Sequence, residues 1–145
     1  MVAMADPFAL HRFVEAQDPV MAAVEAELRA GRKRSHWMWF VFPQLRALGH
    51  SATALHFGMV SLDEARAYRL HPVLGPRLVA CTALMLAHAG RSAHDILGSP
   101  DDLKLRSSMT LFAAVNPAEP GFRAVLRAFY DNAPDQLTAR LLAEG

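Results

Sequence analysis

The chain has 145 residues, 52% of them hydrophobic and 20% charged, which is too much apolar surface for an intrinsically disordered segment and enough to offset the entropy of folding. Fifteen Lys and Arg stand against fourteen Asp and Glu, a net charge of +1 with the seven His neutral. That balance argues against a protein whose affinity comes from neutralising a long stretch of nucleic-acid backbone, and the length suits one domain over residues 1–145 that needs neither disulfide nor metal to stay folded.

Helix signals follow one another along the chain. Asp6 and Pro7 supply a cap and a first-turn proline for a short helix with Leu10, Phe13 and Val14 on one face. Asp18 and Pro19 repeat the device ahead of Val20, Val24 and Leu28, and Gly31 is placed to end that helix. Ser61 to Glu64 form a capping box, with Glu64 expected to reach back to the amide of Ser61. His71 and Pro72 open the longest helix, which runs to about Ala89 before Gly90.

Ser92 then caps a turn through Leu97, and Ser99 and Pro100 start a helix carrying Leu103, Leu105, Met109, Leu111 and Phe112. Phe122, Val125, Leu126 and Phe129 mark another, and Pro134 to Ala143 the last, where Asp135 and Thr138 read as a capping pair. No run alternates apolar and polar residues, so the expected fold is all-α, a single-domain orthogonal bundle of about seven helices. Trp37 to Pro43 has strand propensity but no partner strand, so it is expected as a buried irregular helix or extended segment.

Several functions are excluded at this level. Cys81 lies in an apolar run and is expected to be a buried, inert thiol. The longest apolar stretch, Leu78 to Ala89, falls short of the roughly 20 residues a membrane span requires, and the first fourteen residues lack the pattern of a secretory signal, so a cytoplasmic location with no membrane partner is expected. The histidines show no metal spacing and no second Cys exists to pair with Cys81, so no metal and no cofactor are expected. Nothing fixes an oligomeric state.

Chemistry concentrates in two segments. In Gly31 to Gln44, the residues Arg32, Lys33, Arg34, Ser35 and His36 run into an aromatic block, setting anion-binding groups beside a low-dielectric wall. Lys33 would supply charge, Ser35 a hydrogen bond, Trp37 a stacking face and Gln44 an orienting amide, although basic residues after a helix also satisfy its last carbonyls. A local nucleic-acid patch from Arg29 to Arg34 with Arg46 is a lesser alternative.

The stretch GRKRSHWMWFVFPQLRALGHS resembles the signature of a mainly bacterial family, the domain of unknown function 1810, some of whose members carry the label calpastatin. SLDEARAYRLHPVLGPRL, SPDDLKLRSSMTLFAA and FYDNAPDQLTARLL are similar to further family segments in the same order, so the resemblance covers the chain from about residue 31 onward. It implies a compact, mainly helical fold and supplies no reaction, partner or catalytic residue. One departure is the Asn132-Ala133 pair, where the family often has a glycine after the tyrosine that is Tyr130 here.

The second segment is Pro100 to Thr110. On a helix, Asp101, Lys104 and Ser108 share a face, with Ser107 one turn from Lys104. A lysine near a serine suggests nucleophilic chemistry, but the order is wrong for Ser-x-x-Lys and no Gly-x-Ser-x-Gly elbow is present. His71 and Arg77 are expected as a helix cap and a partner for Asp63 or Glu64.

The reading that unites the segments is a pocket for an anionic small molecule such as a nucleotide or ADP-ribose-like compound. Lys33 and Lys104 would bind charge, His36, Asp102 or Ser107 would carry any catalysis, and Ser35, Trp37, Gln44 and Thr110 would complete the lining. It requires the segments to lie within the roughly 15 Å that one ligand pocket spans. The alternative is a protein-interaction module presenting the aromatic block or the C-terminal helix.

Overall fold

The computed structural model describes residues 5–144; Met1 to Met4, part of the stretch inspected for a signal, lie outside them. Within that range helix follows helix: α1 (His11–Gln17), α2 (Met21–Ala30), a single turn α3 (Met38–Val41), a 3-10 turn (Arg46–Leu48), α4 (Ala52–Phe57), α5 (Leu62–Leu70), α6 (Leu74–Leu86), α7 (Ala93–Leu97), α8 (Asp101–Val115), α9 (Pro120–Tyr130) and α10 (Gln136–Glu144). The all-α architecture holds, and the count exceeds seven because the segment 37–57 contributes three short turns that have little amphipathic periodicity to announce them. In α4 the legible signal is Ser51, whose Oγ accepts from the amide of Ala54 at 3.1 Å.

Several helix ends follow the chemistry of their caps, but Asp18, expected to cap α2, pairs with Arg77 at 2.9 Å instead, and α2 starts after Val20 without a side-chain cap. Gly31 ends α2 at φ 71°, a left-handed position that spares a side chain, and the amide of Arg32 donates back to the carbonyl of Glu27 at 3.0 Å. Asp6 acts later than expected, its carboxylate accepting from the amides of Leu10 and His11. The hydrogen bond from His11, with those two amides, holds its carboxyl down at about 2. Ser61 caps α5, but Glu64 reaches one residue past it to the amide of Val60 at 2.9 Å. The turn after α9 solves the missing glycine differently, with Asp131 and Asn132 themselves at φ 54° and 61°.

Helix α8 is the central element: eight of its fifteen residues are buried, and it packs on α5, α7, α9 and α10. A line of aromatic contacts crosses the core from α1 to α9, Phe13 to Tyr68 at 5.1 Å, Tyr68 to Phe112 at 5.5 Å and Phe112 to Phe122 at 5.7 Å. Gln17 and Glu64, polar groups trapped in the core, are paired. Gln17 donates from Nε2 to the carbonyl of Phe40 at 2.6 Å and to the hydroxyl of Tyr68 at 2.9 Å, which fixes the single turn α3 against α1 and α5. Arg12 meets buried Glu64 at 2.7 Å. Burial pushes the Cys81 thiol up to about 12, so it is protonated and unreactive at neutral pH.

Candidate functional site

The cationic segment after α2 is organised by a residue that patterning did not single out. Glu27 accepts from the amides of Arg34 at 2.7 Å and Ser35 at 2.9 Å, from Ser35 Oγ at 2.6 Å and from the indole Nε1 of Trp37 at 3.0 Å. Burial works to raise its pKa, but these donors outweigh it and hold the carboxyl at about 2. A signal for this was present: a carboxylate in the last turn of a helix faces the negative end of the dipole and needs other donors to sit there.

The consequence is that Ser35 and Trp37 are committed inward. The Ser35 hydroxyl is spent on Glu27, and Trp37 is 1% exposed, a core ring with no open face for stacking. His36 is exposed, its ring 6.5 Å from that of Trp39. Trp39 and Phe129 are only partly buried, yet both pack against the core.

Lys33 runs from this loop to the first turn of α8. Its side chain is 8% exposed, its Nζ lies 2.9 Å from Asp101 Oδ2 and 5.2 Å from the centre of the Trp37 ring, and its amide donates to the carbonyl of Ile96 at 2.8 Å. The two chemistry-bearing segments are therefore in direct contact. Lys104 approaches the other oxygen of Asp101 at the longer distance of 3.7 Å and rests over the Trp39 ring at 5.1 Å. Two lysines thus share one carboxylate, and the nearer, buried one takes most of it.

Beyond Lys104 the surface opens into a cleft of about 340 Å³ between the 44–54 segment, α8 and the start of α10. Gln44, His50, Ser51, Lys104, Ser107 and Asp135 give it its polar lining, and Leu103 and Leu137, 57% and 47% exposed, contribute apolar walls. Of the residues expected at a shared pocket, Gln44, Lys104 and Ser107 line this cleft, whereas Lys33, Ser35, His36, Trp37 and Thr110 do not. His50 and Ser51 were missed because a cleft wall built by a loop has no periodicity, and Asp135 was read only as the helix cap that it also is.

The remaining candidates have structural work. Thr110 donates to the carbonyl of Arg106 at 2.8 Å and accepts from the amide of Asp135 at 2.9 Å, joining α8 to the start of α10. Asp135 in turn caps α10 through the amide and hydroxyl of Thr138. Asp102 accepts from the amide of Leu103 at 3.0 Å and lies 3.6 Å from His94 Nδ1. Ser107 donates to the carbonyl of Leu103 at 3.3 Å, and among the described residues no hydrogen bond joins it to Lys104. Ser108 is turned into the core and its Oγ has no hydrogen-bond partner among the described residues. His71 caps α6 through the amides of Val73 and Leu74, while Arg77 pairs with Asp18 at 2.9 Å, not with Asp63 or Glu64. Among the described residues no group of three or more His, Cys, Asp or Glu could hold a metal ion, and no helix is long and apolar enough to cross a membrane.

An all-helical protein with a small polar cleft is the class these features define. Residues 7–142 match the family model described as protein of unknown function (DUF1810), and the chain belongs to that family. It is similar to the crystal structure of the conserved hypothetical protein Rv1873 from Mycobacterium tuberculosis, with 57% identity, 95% of this chain and 99% of that chain covered, and a TM-score of 0.93. No curated protein matches the chain.

Proposed function

We propose that the protein binds an anionic small molecule, of the nucleotide or ADP-ribose-like class, in the cleft between Gln44, Lys104 and Ser107. The observation that carries this reading is the division of Asp101. Lys33 takes its near oxygen at 2.9 Å, so Lys104, at 3.7 Å and 24% exposed on the cleft wall, keeps charge to offer a phosphate or carboxylate. The Trp39 ring beneath it fixes its direction, and Gln44 and Ser107 supply polar groups within the same space. Lys33 acts on the ligand only through Asp101.

Binding has more support than catalysis. Ser107 donates to its own helix, His36 lies outside the cleft lining, and Asp102 is engaged with an amide. The interaction-module alternative has less support at the aromatic block, where Trp37 is buried and Trp39, though partly exposed, packs on the core.

The test is a thermal-shift screen with nucleotides, ADP-ribose and sugar phosphates on the parent protein and on Lys104→Ala. A ligand at a hundred times its Kd stabilises by about 2.7 kcal/mol, which raises Tm by roughly 5–10 °C for a chain of this size. The shift is expected in the parent and absent in Lys104→Ala. No stabilising compound, or an equal response in both proteins, refutes the reading.

A further inference from the structure

A second depression lies on the other side of the 44–55 segment, with a volume of about 830 Å³, and shares only Gly49 with the polar cleft. Its walls are apolar and come from three places in the chain: Leu45 before the 3-10 turn, Leu55, Met59 and Val60 around the end of α4, and Leu141 and Leu142 on α10. Space of this size and lining falls within the range of small-molecule sites. Val60 is 62% exposed, so apolar surface there meets solvent directly.

One cation of this groove, Arg46, is exposed, with its backbone and the base of its side chain packed closely against the chain. The chain at Gly58 passes so close beneath Arg46 that an added Cβ would sit 2.4 Å from its Cα, 2.5 Å from its Cβ and 2.8 Å from its Cγ. Arg46 is further held by its own amide, which donates to the carbonyl of Met59 at 2.8 Å, while the amide of Met59 donates to the carbonyl of Gln44 at 2.9 Å. The backbone of Arg46 is thus fixed against Met59, and the base of its side chain lies close over Gly58. Among the described residues no ion pair engages the guanidinium, and the one carboxylate of the lining, Asp63, is bonded to Arg66 at 2.9 Å.

We propose that this groove binds an aliphatic carboxylate, its chain against Leu55, Val60, Leu141 and Leu142 and its carboxylate paired with Arg46. The planar guanidinium matches a carboxylate through two parallel hydrogen bonds, and the uncompensated positive charge beside an apolar wall selects an anionic head over a neutral one. The site is independent of the polar cleft: Lys104 has no part in it.

Titration calorimetry with octanoate, octanol and octylamine tests this on the full chain. Octanoate is expected to bind the parent saturably, octanol at least about tenfold more weakly, and octylamine not at all. Arg46→Gln should reduce octanoate affinity to that of octanol. Val60→Asp, a change at an exposed position that does not endanger folding, should weaken octanoate by placing a like charge on the wall. Gly58→Ala, whose added Cβ would meet the backbone of Arg46 as well as its stem, should weaken octanoate and lower Tm together. Equal affinity for octanoate and octanol, an unaltered response in Arg46→Gln, or no saturable octanoate binding to the parent would each overturn the proposal.

Discussion

Two neighbouring polar clusters, one around Glu27 and one around Lys104, are joined through Asp101 but differ in how their polar groups are used. Around Glu27, four donors converge on one carboxylate at 2.6–3.0 Å, and the adjoining lysine is buried against Asp101. Around Lys104, contacts are longer: 3.7 Å to Asp101, and 3.3 Å from Ser107 to a backbone carbonyl. The first cluster has satisfied its hydrogen-bonding capacity and holds the aromatic block in place. The second retains capacity for a partner from outside. Within the basic run Lys33 is therefore architectural, and the proposed binding surface lies one layer beyond it.

The largest effect should come from breaking the link between the two clusters. Lys33→Ala leaves Asp101 without its close partner and is expected to cost about 2–3 kcal/mol, a Tm fall of roughly 5–10 °C by calorimetry. It should also weaken ligand binding, because Asp101 is freed to pair with Lys104. Unchanged stability would show that the Lys33 pair is not the anchor described above.

Next in size is Glu27→Gln, expected to cost about 1–2 kcal/mol once the partial exposure of the site is taken into account. Near-ultraviolet circular dichroism should report a looser Trp37 environment, and an unaltered spectrum would contradict the role given to Glu27. The same variant carries a pH signature. The folded carboxyl is held near 2 against an ordinary 4.5, so its contribution is complete above about 4.5 and is lost as pH falls through about 2. Denaturant midpoints between those limits should fall less steeply in Glu27→Gln than in the parent, with the Asp6 cap, also held near 2, supplying part of the residual slope.

The smallest effect on stability should be that of Lys104→Ala, within about 0.5 kcal/mol, although it removes the charge proposed to bind ligand. A marked Tm loss in this variant would place Lys104 with the architectural cluster and erase the contrast.

Much of the helical layout was legible because caps are local chemistry. Gly31, Ser61, His71, Ser92 and Asp135 each act within a few residues of where they stand, and the structure uses each at a helix end. Trp37 to Pro43 is a buried irregular helix as expected, but its single turn is held by a distant partner, Gln17, which donates to Phe40 across the core, and the 3-10 turn at Arg46–Leu48 has no local signal of its own. The same distinction divides the site. That Arg29 to Arg34 and Asp101 to Thr110 held the interesting side chains could be read from composition. Which of them faced solvent depended on Glu27, His50 and Asp135, whose roles arise only when the loop, α8 and α10 meet.

The most direct test of that division is a titration of isotope-labelled protein with ADP-ribose or the best compound of the screen, followed by amide chemical-shift mapping. Saturable shifts centred on Gln44, His50, Lys104 and Ser107, with Ser35 and Trp37 undisturbed, are predicted. Shifts centred on the Arg32 to Trp37 loop, with Lys104 and Ser107 silent, would contradict the account.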